Sequence, residues 1–213
     1  MADKKFSGTE ALAFGWETMK KNFGFFLAIL IVGFIAQNIL GFFAEFFKRE
    51  SPVIYFLLTL GGVFLNMLVS IGILKIALHF CDNEPAQIFE LFAYPELVLR
   101  FLGIAILSGL AVLGGAILLI VPGIILAIRL QYAGYLLVDK NTGVMEALKK
   151  SMAMTKGVAW DLFVLGCLMG LVALAGVLCL GVGLFAALPT IMVANAFVYR
   201  KLAACLEPGK NVM

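Results

Sequence analysis

Long runs of apolar residues recur along the chain and alternate with short polar or glycine-rich segments. A helix needs roughly 20 mostly apolar residues to cross a bilayer. Six runs reach or approach that length, and we predict that each forms one transmembrane helix. Their approximate ranges are 23–47, 53–80, 97–120, 121–139, 159–180 and 184–202.

The turns between these runs predict how the helices are paired. A polar turn at 48–52 joins the first two, Val121-Pro122-Gly123 joins the third to the fourth, and Gly181-Val182-Gly183 joins the fifth to the sixth. We therefore predict an all-α, polytopic membrane protein with three hairpins. It forms a single domain over residues 1–213, with a short C-terminal tail at 206–213.

A short amphipathic segment precedes each predicted hairpin. Ser7-Gly8-Thr9-Glu10 has the pattern of a capping box, which opens a helix. Pro85 can begin a second short helix, which carries Ile88, Phe89 and Phe92. The apolar stripes predicted for the first and third segments comprise Leu12, Trp16 and Met19, and Val144, Leu148, Met152 and Thr155. We predict that all three segments lie at the membrane interface.

A weak internal repeat supports this division. Glu10-Ala11-Leu12 matches Glu146-Ala147-Leu148 at an offset of 136, Lys20 matches Lys156 at the same offset, and each match precedes a hairpin. We interpret the chain as three pseudo-repeats, at about 7–80, 84–139 and 142–205.

The composition excludes a water-soluble globule. Hydrophobic residues make up 63% of the chain, charged residues 14%, and the mean hydropathy is +1.06. Soluble domains are about 45–50% apolar and about 25% charged. The net charge of +3 is too small to indicate a nucleic-acid partner.

The distribution of Lys and Arg predicts the orientation, since cytoplasmic loops of membrane proteins carry an excess of both. With the N-terminus inside, the outer side receives only Lys48 and Arg49. The inner side receives thirteen basic residues: Lys4, Lys5, Lys20, Lys21, Lys75, Arg100, Lys140, Lys149, Lys150, Lys156, Arg200, Lys201 and Lys210. We therefore predict that both termini are cytoplasmic. Phospholipids are the expected partners of the membrane-interface residues Trp16, Lys20, Lys21, Lys149, Lys150 and Lys156.

No catalytic or metal-binding motif is recognisable. His79 is the only histidine, which argues against an imidazole metal site or a His-based triad. The four cysteines form no CxxC pair, and no phosphate-binding loop occurs. We expect no catalytic residues, no metal, no cofactor and no enzymatic activity. The acidic middle segment, with Asp82, Glu84, Glu90 and Glu96, is expected to pair with Lys149 and Lys150.

Arg129 is the candidate ligand-binding residue, because it lies inside the fourth predicted helix. A charge at the centre of a membrane helix costs at least about 2.5–3.5 kcal/mol, so other groups must offset it. One interpretation is a polar site for an anionic head group or solute. The other is that Arg129 snorkels towards the surface or joins helices through amide contacts. The accompanying polar candidates are Gln37, Asn66, Gln131 and Asn195.

Several segments resemble a group of uncharacterised bacterial integral membrane proteins. The group includes the YciC-like proteins and the membrane domain attached to some glycerophosphodiester phosphodiesterases. The segments are Val121-Pro122-Gly123-Ile124-Ile125 with Arg129, Tyr135-Leu136-Leu137-Val138-Asp139, Glu146-Ala147-Leu148-Lys149-Lys150-Ser151, Thr155-Lys156-Gly157 and Val198-Tyr199-Arg200-Lys201-Leu202. The resemblance implies a six-helix membrane fold in the bacterial inner membrane and little about activity.

Three functional hypotheses remain at this point. The first is a non-enzymatic protein that organises lipids, or an accessory or scaffold subunit bound to other membrane proteins or to itself. The second is a transporter or channel for a small solute or lipid, with a polar site around Arg129. The third, an intramembrane enzyme, lacks a credible pair of nucleophile and base.

Overall fold

The structure is a computed structural model that describes residues 6–179 and 181–206. Lys4, Lys5, Leu180, Lys210 and the predicted tail from residue 207 onwards lie outside these ranges. The described residues form helices and contain no β-strand. The α-helices are α1 (Gly8–Lys21), α2 (Phe23–Phe47), α3 (Pro52–Cys81), α4 (Val98–Leu118), α5 (Ile120–Leu130), α6 (Ala133–Lys140), α7 (Val144–Met154), α8 (Ala159–Leu178) and α9 (Leu184–Leu206).

Five helical stretches of the described chain are long and apolar enough to cross a membrane. They are Phe23–Phe47, Pro52–Cys81, Ile88–Leu118, Ile120–Lys140 and Ala159–Leu178. These correspond to the first five predicted spans. The sixth, α9, is not among them, because Asn195, Arg200 and Lys201 lower its hydropathy. The all-helical fold and five helices suited to crossing a membrane are therefore confirmed, and the count of six is not.

The fourth predicted helix is interrupted. Gln131 and Tyr132 separate α5 from α6, so the span predicted over 121–139 consists of two consecutive helices. A neighbouring helix satisfies the backbone near the break: the Ser151 hydroxyl of α7 donates a hydrogen bond to the Arg129 carbonyl over 2.7 Å. A side chain distant in sequence therefore supports the end of α5.

The short helix predicted from Pro85 is replaced by two 3₁₀ helices, Ile88–Phe92 and Pro95–Leu97. The backbone N–H of Gln87 donates to the Glu90 carboxylate over 3.2 Å and helps to cap the first of them. Leu91 is fully buried, whereas Phe89 is 83% exposed. Of the residues predicted to lie on this helix, Ile88 is partly buried, and the fully buried side chain is Leu91, which packs on α3.

Helices that follow one another along the chain pack together in three pairs: α2 with α3, α4 with α5, and α8 with α9. The segments that connect the pairs also dock on them. The first 3₁₀ helix packs on α3, α7 packs on α4, α5 and α6, and α1 packs along α9. The first and last α-helices of the described chain are thus in contact.

Helix α1 is not a bare surface helix. Its buried residues are Ala11, Gly15 and Met19, whereas Trp16 is 46% exposed. The predicted stripe of Leu12, Trp16 and Met19 is therefore mostly displaced by one position. The displacement brings small residues against α9 and lets the two helices approach closely. The rings of Phe14 and Phe197 stack with their centroids 4.8 Å apart.

The buried core lies at one end of the helix pairs. We call this end the basal layer: α1, α6, α7, and the parts of α3 and α9 that follow Leu68 and Thr190. Most of the largest fully buried side chains lie in it, among them Leu136, Leu137 and Tyr199. The opposite ends of the pairs expose large apolar residues, including Phe42, Leu57, Ile117 and Leu178. Apolar surface of this extent suits contact with lipid rather than water.

Candidate functional site

Two of the five predicted ligand-binding residues lie together. The Asn66 side-chain amide donates to the Gln37 backbone carbonyl over 3.2 Å and to the Gly62 carbonyl over 3.3 Å. These bonds link α2 to α3. The Asn66 side chain therefore joins α2 to α3, whereas Gln37 takes part through its backbone and also lines a groove beside α2.

The other three predicted residues lie elsewhere. Asn195 donates to the Ile191 carbonyl over 3.1 Å and approaches the sulfur of Met169, which joins α9 to α8. Gln131 is exposed at the α5–α6 break. Arg129 lies beside α7, through the hydrogen bond from Ser151 to its carbonyl. The five residues therefore do not converge on one polar site.

Arg129 itself has an unusual environment. Its side chain is half-buried, and its Nε is buried without a hydrogen-bond partner in the described part of the chain. Arg129 also forms no ion pair with any residue in 6–179 or 181–206. Its positive charge is thus not neutralised by a described carboxylate.

The predicted membrane-interface residues are mostly exposed. Lys20 lies 5.7 Å above the Trp16 ring, and Lys21 follows it at the end of α1. Lys149 and Lys156 are also exposed. Their arrangement leaves two basic surfaces on the basal layer, one on α1 and one on and after α7.

Lys150 does not reach the acidic middle segment, so that expectation is wrong. It pairs with Glu146 one turn earlier in α7, with a distance of 2.7 Å between Nζ and Oε1. The hydrogen bond from Lys150 lowers the pKa of Glu146. Side chains four residues apart on a helix are neighbours, so this local pair forms without ordering any loop.

A charged cluster that the sequence analysis did not assemble lies in the basal layer. Arg200 of α9 donates through Nη1 to Asp139 of α6 over 2.7 Å, and through Nη2 to Asp82, which follows α3. The Tyr199 hydroxyl donates to the second oxygen of Asp139 over 2.8 Å. We call these four residues the Arg200 cluster. It joins the end of α3 to α6 and α9.

The cluster is partly buried, which increases its contribution to the stability of the fold. Side-chain exposures are 29% for Arg200, 27% for Asp82 and 12% for Asp139. Removing one member of a buried charge network leaves an uncompensated charge, which is strongly destabilising. Every charged member has an opposite charge as its neighbour, so the cluster holds α3, α6 and α9 together. The sequence gives one indication of this cluster: Asp82, Asp139 and Arg200 all lie near the ends of predicted helices.

His79 ties the middle segment to α3. Its Nδ1 lies 3.0 Å from Glu90 and its Nε2 lies 3.6 Å from Glu84. Nearby, a Cβ added to Gly72 would lie 2.3 Å from the Leu91 Cα, so only glycine permits this approach. The acidic segment therefore pairs with His79 and Arg200, at the ends of α3 and α9.

One apolar groove lies between the first and third helix pairs, and another lies between the second and third. The α2–α9 groove has a volume of about 480 Å³, and its lining includes Ile29, Phe34, Leu184 and Leu188. The α5–α8 groove has a volume of about 440 Å³, and its lining consists of Val121, Ile124, Ile125, Ile128, Ala159, Trp160 and Phe163. Each groove separates the second helix of one pair from the first helix of another.

Comparison with known proteins places the chain in a family. The family described as "Protein of unknown function (DUF975)" matches residues 38–205, which is most of the chain. The chain belongs to this family. The expected membership of an uncharacterised family is thereby confirmed, whereas the narrower resemblance to YciC-like proteins is consistent with it and stays a prediction.

Three curated relatives are also uncharacterized. They are the proteins Mb2590 of Mycobacterium bovis and MT2637 and Rv2560 of two strains of Mycobacterium tuberculosis, each 31% identical over 137 residues. The match covers 62% of this chain and 40% of each relative, so the chain spans about two-fifths of their length. No solved structure matches the chain significantly.

Proposed function

We propose that this protein is a non-enzymatic integral membrane protein that organises phospholipids. The observation that carries the proposal is the pair of apolar grooves between helix pairs whose outer surfaces are themselves apolar. In a bilayer such grooves are filled by lipid chains. Charged side chains gather in the basal layer, where lipid head groups can meet them.

The proposed topology is six spans in three hairpins, with both termini in the cytoplasm. Helix α9 is too polar to qualify alone, but its polar residues are turned to other helices. Thr190 is 3% exposed, Asn195 contacts α8, and Arg200 is paired. Polar residues within a membrane are tolerated when they face the bundle interior. The bias of Lys and Arg towards the basal layer supports a cytoplasmic position for it.

The proposed location is the bacterial inner membrane, since the matched relatives are bacterial proteins. A scaffold role for other membrane proteins, or for a second copy of the chain, is compatible with lipid organisation. A transporter is less well supported, because Arg129, Asn66 and Asn195 lie in separate packing contacts.

Lipid retention tests the proposal. The chain is extracted from its native membrane in mild detergent, purified, and analysed for bound phospholipid per chain. We expect at least one tightly retained phospholipid per chain after extensive detergent washing. An unrelated membrane protein of similar size, carried through the same washing, is the control for micellar lipid. A stable chain that retains no more lipid than this control would contradict the proposal.

A further inference from the structure

The α5–α8 groove differs from the α2–α9 groove in what lies at its basal end. Trp160, which lines the groove, is 73% exposed. Tryptophan is enriched where membranes meet water, because its ring is apolar and its N–H needs a polar partner. Trp160 therefore marks the level at which a lipid in this groove would change from acyl chain to head group.

The backbone positions of two basic residues lie at the same end. Arg129 directly follows Ile128, which lines the groove, and its carbonyl lies within 3.4 Å of the Thr155 hydroxyl. Lys156 follows Thr155, so the two cations come from adjacent backbone positions. Asp161, beside Trp160, is exposed and adds one negative charge. The three side chains together carry a net charge of +1.

We propose that the α5–α8 groove is a specific site for an anionic phospholipid, an inference that rests on the lipid-organising function proposed above. One acyl chain lies against Ile124, Ile125 and Ile128 of α5 and Ala159, Trp160 and Phe163 of α8. The phosphate lies beside Arg129 and Lys156.

The size of the groove suits an acyl chain. Its volume is about 440 Å³, which falls within the range of about 300–1,000 Å³ for sites that hold small ligands. We therefore assign the groove to a lipid chain, and occupation by a partner's transmembrane helix is an outcome of the test below.

The charges, rather than the apolar lining, select the lipid. A lipid tail gains no hydrophobic free energy by leaving the bilayer for the groove, since both surroundings are apolar. Each Lys or Arg near an anionic head group contributes an affinity gain of about fivefold. Arg129 accounts for one such gain and Lys156 for another, whereas Asp161 opposes them.

The chain contains two tryptophans, which provides a direct probe. In a Trp16→Phe background, Trp160 is the only tryptophan. The full-length protein is reconstituted in nanodiscs with either phosphatidylglycerol or phosphatidylcholine brominated on the acyl chain. Bromine quenches tryptophan on contact, so quenching reports occupancy of the groove. We expect phosphatidylglycerol to quench Trp160 at a mole fraction several-fold lower than phosphatidylcholine.

Charge variants test the selectivity. Arg129→Gln and Lys156→Gln are each expected to lower the preference for phosphatidylglycerol about fivefold, and Asp161→Asn is expected to raise it. Arg49→Gln is the matched control, because it removes the same charge at the exposed α2–α3 turn. Size-exclusion profiles identify variants that misfold. If both cation variants misfold, Asp161→Asn still tests the selectivity, because it removes no group that is proposed to contact the lipid.

A groove variant tests the position of the chain. Ile124→Trp fills the α5–α8 groove, and Leu113→Trp adds the same bulk to an exposed face of α4. Here lipid selectivity is read from the phosphatidylglycerol retained by the purified chain, which we expect only Ile124→Trp to lower.

Two results would overturn the site. One is equal quenching of Trp160 by the two lipids with no response to Arg129→Gln, Lys156→Gln or Asp161→Asn. The other is a Trp160 shielded from both lipids in an oligomer, which would assign the groove to a protein partner. If the chain nevertheless retains phospholipid during purification, the lipid-organising function stands and only this site fails. If no phospholipid is retained, the function itself fails.

Discussion

Replacing Gly15 with alanine is expected to lower the free energy of unfolding by about 2–3 kcal/mol. A Cβ at this position would lie 2.3 Å from the Thr190 carbonyl oxygen and 3.2 Å from the Ala194 backbone nitrogen. Both atoms belong to the backbone of α9, so a side-chain rotation cannot relieve the clash. Helix α1 must then move away from α9.

The matched control is Gly41→Ala in α2, where an added Cβ meets nothing within 4 Å. Alanine is favoured over glycine in a helix by about 1 kcal/mol, so this variant is expected to be neutral or more stable. Thermal unfolding in detergent measures both variants, and limited proteolysis reports release of α1. Equal melting temperatures for the two variants would contradict the packing of α1 on α9.

Arg200→Gln is expected to destabilise the fold by about 2–4 kcal/mol, because it leaves Asp82 and Asp139 facing each other without a cation. Lys201→Gln is the adjacent control. Lys201 pairs with Glu10, which is 52% exposed, and a pair of this kind is worth less than about 1 kcal/mol.

A second substitution distinguishes charge repulsion from lost packing. Adding Asp82→Asn to Arg200→Gln removes one of the two carboxylates, so we expect the double variant to be more stable than Arg200→Gln alone. Thermal and denaturant unfolding in the same detergent measure the unchanged protein, the two single variants and the double variant. An Arg200→Gln variant as stable as Lys201→Gln would show that the Arg200 cluster does not join α3, α6 and α9.

The long apolar runs were sufficient to predict five of the spans, because length and hydropathy are local properties of the sequence. Helix α9 departs from that rule for a physical reason. Its Asn195 and Arg200 contact neighbouring helices, so their polarity is compensated by residues that no local window includes. Whether α9 crosses a bilayer therefore depends on tertiary contacts.

The same limit explains the corrections in the connecting segments. Apolar periodicity predicted α1 as an interfacial helix with Trp16 in its apolar stripe, but it gave no sign of the close approach to α9 at Gly15. The short helix predicted from Pro85 likewise gave no sign that docking on Gly72 buries Leu91. In both segments the decisive partner is a small residue or a backbone atom, which a scale of side-chain hydrophobicity does not register.

Only part of the candidate site could be predicted from the sequence. Arg129 was recognisable as a charge in an apolar helix, but the hydrogen bonds at this residue join its backbone carbonyl to Ser151 of α7 and to Thr155, which follows α7. The α5–α8 groove had no sequence signal, because its lining residues come from two separate helices and are all ordinary membrane residues. The groove forms only where the helix pair α4–α5 meets the helix pair α8–α9.

A high-resolution structure in a nanodisc of native lipids, with a bound antibody fragment to aid alignment, tests the central claim most directly. We predict acyl-chain density along the α5–α8 groove, ending at Trp160, with phosphate density beside Arg129 and Lys156. A groove closed by protein side chains, or an Arg129 guanidinium paired with a carboxylate and free of lipid density, would contradict the claim that this protein organises phospholipids there.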